Sequence, residues 1–106
     1  MQIRFTFRNL DSSDALKAHA QEKLEKLTKY FRGPVDVEVT LSVERHEHTV
    51  GIHLSAHGEA YDVSDVSEDM YASLDLAVDK MRKRLVRARG QHEAGRRDSG
   101  NGAVGS

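Results

Sequence analysis

Apolar and polar residues alternate along this chain in two different periods, and the switches between them outline six elements. From Gln2 to Arg8, Ile3, Phe5 and Phe7 alternate with Arg4, Thr6 and Arg8, the period of two that marks a half-buried strand. Asn9 to Ser12 is a polar connection. Leu16, Ala20, Leu24, Leu27 and Phe31 then recur at steps of three and four, which predicts a helix capped by Ser12 or Ser13 and stopped by Gly33-Pro34. Period two returns with Val35, Val37, Val39, Leu41 and Val43 set against Asp36, Glu38, Thr40, Ser42 and Glu44. Polar residues from Arg45 to Thr49 predict a turn, and Val50, Ile52, Leu54 and Ala56 carry a third strand. His57-Gly58-Glu59 predicts another turn, followed by a fourth strand with Tyr61 and Val63 inward. Asp65 takes the next inward position, so this strand is expected to fray there.

The last element reads as the longest helix. Tyr71, Leu74, Val78, Met81, Leu85 and Ala88 define its buried face, Ser67 or Asp69 caps its start, and Gly90 is expected to end it. The order β-α-β-β-β-α predicts an α+β two-layer sandwich. A helical crossover lets strands one and two run parallel, and two short turns make strands two to four an antiparallel meander. One face of the four-stranded mixed sheet is apolar, so both helices should cover that face. Residues 1–90 form one domain in this reading, and the glycine-rich residues 91–106 a flexible tail.

Charge changes the picture where composition does not. The 106 residues carry a net charge of only −1, yet residues 32–79 hold eleven carboxylates against two arginines, a net of −9. Residues 80–97 hold eight bases against Glu93, a net of +7. Local potential governs encounter with a polyanion, so the chain has a positive end whatever its total charge. The absence of cysteine excludes disulfides and thiolate metal sites and suits a reducing cytoplasm. The opening residues lack a secretory pattern, and no stretch approaches the ~20 apolar residues of a membrane helix. A soluble cytoplasmic protein is expected.

Six bases fall within ten residues of the second helix. With Val78 at zero and 100° per residue, Lys83, Arg87 and Lys80 lie at about 140°, 180° and 200°, and Arg84 at about 240°. They make one stripe away from the buried face, while Arg82 and Arg89 lie near the apolar edge with stems that can pack. Such a stripe reads equally as a solvated helix end or as a phosphate-binding ridge. In the first helix His19, Lys23, Lys26 and Tyr30 share one flank, although Glu22–Lys26 and Glu25–Lys29 are also spaced as ordinary helix ion pairs.

Other chemistry is poorly supported. His46-x-His48 invites a metal, but no acid is set by spacing as a third ligand. There is no nucleophile elbow, no phosphate-binding glycine loop and no dinucleotide turn. Asp75 and Asp79 are one turn apart, but Asp79 precedes Lys83 by another turn, and helix ion pairing accounts for it. No enzyme, cofactor or small-molecule substrate is expected.

Several fragments resemble one family in order and spacing. They are Met1-Gln2-Ile3, Ala15-Leu16, Lys23-Leu24-Glu25-Lys26-Leu27, Tyr30-Phe31, Val39-x-Leu41-x-Val43-Glu44 and His48-Thr49. The most specific is Asp69-Met70-Tyr71-Ala72-Ser73-Leu74-Asp75, followed by Val78-Asp79-Lys80 and Arg84-Leu85. Over about residues 1–89 the chain resembles the short hibernation-promoting factor and ribosome-associated inhibitor family, also called sigma-factor modulation proteins. The resemblance implies a double-stranded-RNA-binding-domain-like fold and binding to small-subunit ribosomal RNA in the channel used by messenger and transfer RNA. It implies that the chain silences ribosomes in stationary or stressed cells, and that the basic helix residues are Lys80, Lys83, Arg84 and Arg87 with Lys23, Lys26 and Lys29. Arg82 and Arg89 join them from the helical geometry. No second, dimerising domain of the kind long members carry is expected. The alternative is a protein-interaction domain whose basic end meets an acidic partner.

Overall fold

Alternation carries four segments into one sheet, and the two helical segments close over its apolar face. The computed structural model describes residues 1–97, with the side chains of residues 1–89. The elements are β1 (Gln2–Arg8), α1 (Asp14–Glu25), a 3₁₀ turn (Lys26–Tyr30), β2 (Asp36–Glu44), β3 (Glu47–Ala56), β4 (Glu59–Ser67) and α2 (Met70–Arg97). The sheet order is β1-β2-β3-β4. β1 and β2 run parallel, with Ile3 opposite Val37 and Phe7 opposite Leu41, and the two later pairs are antiparallel.

Val37, Val39, Leu41, Val50, Ile52 and Leu54 point from the sheet into the core. Leu16, Ala20, Leu24 and Leu27 meet them from the first helical segment, and Met70, Leu74, Ala77, Val78, Met81 and Leu85 from α2. Each large aliphatic side chain buried here stabilises the fold by about 1.5–3 kcal/mol, offset by chain entropy. Ser73 is the one fully buried polar residue among the described side chains. Its hydroxyl donates to the His48 carbonyl at 2.5 Å and lies 2.7 Å from Ser67 Oγ, which ties the first turn of α2 to the sheet.

The caps are Ser13, whose hydroxyl accepts from the Leu16 amide at 3.2 Å, and Asp69, whose carboxylate accepts from Ala72 at 3.3 Å. His57 and Gly58 both have positive φ, 55° and 77°, as a tight two-residue hairpin turn requires.

Four expectations change. The first helix does not run regularly to Phe31: Thr28 Oγ1 donates to the Glu25 carbonyl at 2.8 Å, and the last turn tightens to 3₁₀ geometry. The turn after β2 takes only Arg45 and His46, so His48 and Thr49 belong to β3. His57 lies in the turn expected of it, and its ring stacks on Phe31 at 6.4 Å. β4 keeps its pairing through Ser67, because half-buried Asp65 has Lys80 as an ion partner at 3.2 Å. Finally, α2 passes through Gly90 to Arg97; one glycine costs a helix only about 1 kcal/mol, and Gln91, Glu93 and Ala94 favour the helix. From residue 98 onward, the segment expected to be a tail lies outside the described residues.

Tyr71 was also expected in the core. It is 41% exposed, and Met70 is buried in its stead. The buried arc of α2 centres on Leu74 and Met81, so Tyr71 falls at the rim beside α1, edge-on to His19 at 5.1 Å.

Candidate nucleic-acid interface

The packing decides how α2's cations are shared among its three exposed directions. On the flank beside the free edge of β4, Lys80 Nζ donates to the Ser64 carbonyl at 2.8 Å and pairs with Asp65 at 3.2 Å. One turn later Arg84 donates to the Asp62 carbonyl at 3.1 Å, its guanidinium 5.9 Å from the centre of the Tyr61 ring. Asp62 and Ser64 alternate with the inward residues of an edge strand, so these two side chains cover carbonyls that no neighbouring strand takes. Tyr61 also donates to Glu59 at 2.7 Å, and that bond, with burial second, raises its phenol above the ordinary value of 10.0.

On the opposite flank α2 faces α1. A groove of about 330 Å³ runs between them, lined by Lys23, Lys26, Lys29 and Arg82 with Asp75 and Asp79. Arg82 grips Asp79 Oδ1 through Nη2 at 2.9 Å and Nε at 3.3 Å, and Lys83 Nζ reaches Asp79 Oδ2 at 3.2 Å. Bonds from Arg82 and then Lys83 hold the Asp79 carboxyl below the ordinary 3.8, and Asp79 in turn raises Arg82. Asp75 lies 2.7 Å from His19 Nε2 and 4.0 Å from Lys23 Nζ, so it joins the two helices. Lys29 sits 5.5 Å from the Tyr30 ring.

The crest between these flanks carries Lys83 and Arg87, both exposed, with the exposed Leu76 two turns before Lys83. Arg89 is exposed further along the helix. The nine predicted site residues therefore divide. Lys23, Lys26, Lys29 and Arg82 meet across the groove, Lys83 and Arg87 adjoin them, and Lys80 and Arg84 lean away toward β4. What sequence reasoning missed is the interleaving of carboxylates: Asp75 was read as part of a pair within one helix, and its partners are on α1. The period of α1 had put His19 and Lys23 on one flank, but nothing local said that this flank meets Asp75.

The remaining chemistry is sparse. No group of three or more His, Asp or Glu side chains that could hold a metal occurs among the described residues. No described helix is long and apolar enough to cross a membrane.

Comparison with known proteins decides the family. The profile of the Sigma 54 modulation protein / S30EA ribosomal protein family matches residues 3–93. The chain belongs to this family. A ribosome hibernation promoting factor of Escherichia coli (strain K12) is 33% identical over 87 residues, covering 82% of this chain and 92% of that protein. One from Azotobacter vinelandii is 31% identical over 87 residues, covering 82% and 81%. The N-terminal domain of Thermus thermophilus Protein Y superposes with a TM-score of 0.76 at 28% identity, covering 82% of this chain and 98% of that domain. The family is one of non-enzymatic, ribosome-associated hibernation factors. The α+β fold and the β-α-β-β-β-α order expected from the alternation are those of its solved members.

Proposed function

We propose that this chain silences translation by binding small-subunit ribosomal RNA in the channel used by messenger and transfer RNA, through the helix side of the sandwich. The observation that carries this reading is the meeting of two basic sets. Lys23, Lys26 and Lys29 from the first helical segment adjoin Arg82, with Lys83 and Arg87 on the crest beside them. Lys80, Arg84 and Arg89 extend the surface. Phosphate contacts orient a protein without reading sequence, and helical RNA is recognised mostly by shape, so a rigid spread of cations suffices. The channel, the cytoplasmic setting and residues 1–90 as the binding unit are part of this proposal, and the likeness to ribosome hibernation promoting factors supports them.

Co-sedimentation with purified small subunits tests the reading. The wild-type chain should co-sediment, with log affinity falling against log salt at a slope of roughly −3 to −5 for four to six neutralised phosphates. Lys83→Glu with Arg87→Glu should remove it from the subunit fraction while circular dichroism and the melting temperature stay as in the wild type. Unchanged sedimentation of that double variant would retire the interface. A partner captured equally before and after nuclease would favour the acidic-protein alternative instead.

A further inference from the structure

A surface meant only to attract phosphate has no need of carboxylates among its cations, yet Asp79 sits where two of them converge. Both of its oxygens are engaged, Oδ1 by the Arg82 fork and Oδ2 by Lys83. One turn earlier Asp75 meets His19 at 2.7 Å and Lys23 at 4.0 Å, both through Oδ1. The side chains of Arg87 and Lys26, by contrast, make no ion pair or hydrogen bond among the described residues, so part of the surface is neutralised internally and part is not.

We propose that Asp79 is a tethered counterion that sets selectivity, lowering attraction to polyanions in general while leaving the site competent for an RNA whose phosphates engage Arg82 and Lys83 together. The inference rests on the RNA-binding reading above. Generic polyelectrolyte binding is driven by release of condensed counterions, and each protein cation contributes only as far as it can replace one. Arg82 and Lys83 already share a fixed carboxylate. A phosphate reaching one of them alone must compete with Asp79 for it and is repelled by the same charge. Two correctly spaced phosphates displace both bonds at once and leave Asp79 free to accept from an RNA hydroxyl, which its half-exposed side chain permits. Asp79 is thus a positioning residue, acting through its two cations.

The experiment compares the affinity for purified small subunits with that for a random-sequence RNA duplex at several salt concentrations. It uses the wild-type chain, Asp79→Asn, and Glu22→Gln as a charge-matched control on the exposed side of α1. Asp79→Asn should tighten duplex binding about five- to tenfold at low salt, steepen its salt slope by roughly one to two, and lower the subunit-to-duplex preference at least fivefold. Glu22→Gln should move that preference less than twofold. A smaller shift with Asp79→Asn, or an equal one with Glu22→Gln, overturns the proposal. Failure of the underlying reading looks different: the Lys83→Glu, Arg87→Glu variant would then bind subunits as the wild type does, whatever Asp79→Asn did.

Discussion

The open face of the sheet and the helix side are both densely charged, but they spend their charges differently. On the sheet, register alone sets Arg4 beside Glu38, Glu38 beside His53, and His53 beside Asp62 in one row across all four strands. Arg4 pairs with Glu38 at 3.2 Å and His53 Nδ1 lies 2.6 Å from Asp62. The described residues of that face carry Asp36, Glu38, Glu44, Glu47 and Asp62 against Arg4 and Arg8, an acidic balance. On the helix side cations outnumber carboxylates, and although Lys83 pairs with Asp79 at 3.2 Å, Arg87 beside it on the crest has no side-chain partner among the described residues. Strand neighbours ~5 Å apart satisfy one another directly, whereas a helix spreads its side chains over three directions. Charge density is therefore a poor guide to a binding surface; what distinguishes the two faces is which charges lack a neighbour to neutralise them.

Charge reversal gives the sharpest contrast between the faces. Lys83→Glu with Arg87→Glu should weaken small-subunit binding on the order of 100-fold at moderate salt, whereas Arg4→Glu with Arg8→Glu should change it by less than about threefold. Equal losses in a sedimentation titration would erase the distinction. A second effect concerns the joint between the layers. Ser73→Ala leaves the His48 carbonyl without its partner at a fully buried position, and should cost about 1–3 kcal/mol in urea unfolding. Binding by the folded fraction should be retained, since no cation moves.

The β4 flank is expected to matter less. Lys80→Ala with Arg84→Ala removes two caps from edge carbonyls and one partly exposed ion pair, worth about 0.5 kcal/mol in stability. It should flatten the salt slope by less than the loss of Lys83 and Arg87 does, and uncovering the edge should raise self-association at high concentration, read by light scattering. The smallest effect is acidic. The Asp79 carboxyl lies below its ordinary 3.8 in the folded chain, so its contribution is complete above that value and is lost as pH falls through the lower, folded one. Melting temperature should therefore drop slightly more steeply below about pH 4 in the wild type than in Asp79→Asn.

Most of the architecture was legible because periodicity is a local property. Alternation at Val37, Val39 and Leu41 and the three-four spacing through Leu74, Val78, Met81 and Leu85 identify strand and helix without any knowledge of neighbours. Errors fell where a neighbour overrode the local pattern. Asp65 reads as a break in a strand until Lys80, fifteen residues further on, pairs with it while donating to the adjoining Ser64 carbonyl. Tyr71 reads as core until the helix axis is known, and an axis is set by how the whole apolar face seats on the sheet.

By itself the sequence determined the order of elements, the apolar faces, the placement of a basic run on an outward helical stripe and the family to which the chain belongs. Only the tertiary structure decided that the Lys23 flank of α1 meets Asp75 and Asp79, that Lys80 and Arg84 close the β4 edge, and that on the crest Arg87 has no side-chain partner among the described residues while Lys83 keeps Asp79. The reason lies in distance along the chain. A helix wheel reports which side chains share a direction, but the charge left over after pairing depends on partners brought in by folding, and their positions follow from packing rather than from spacing.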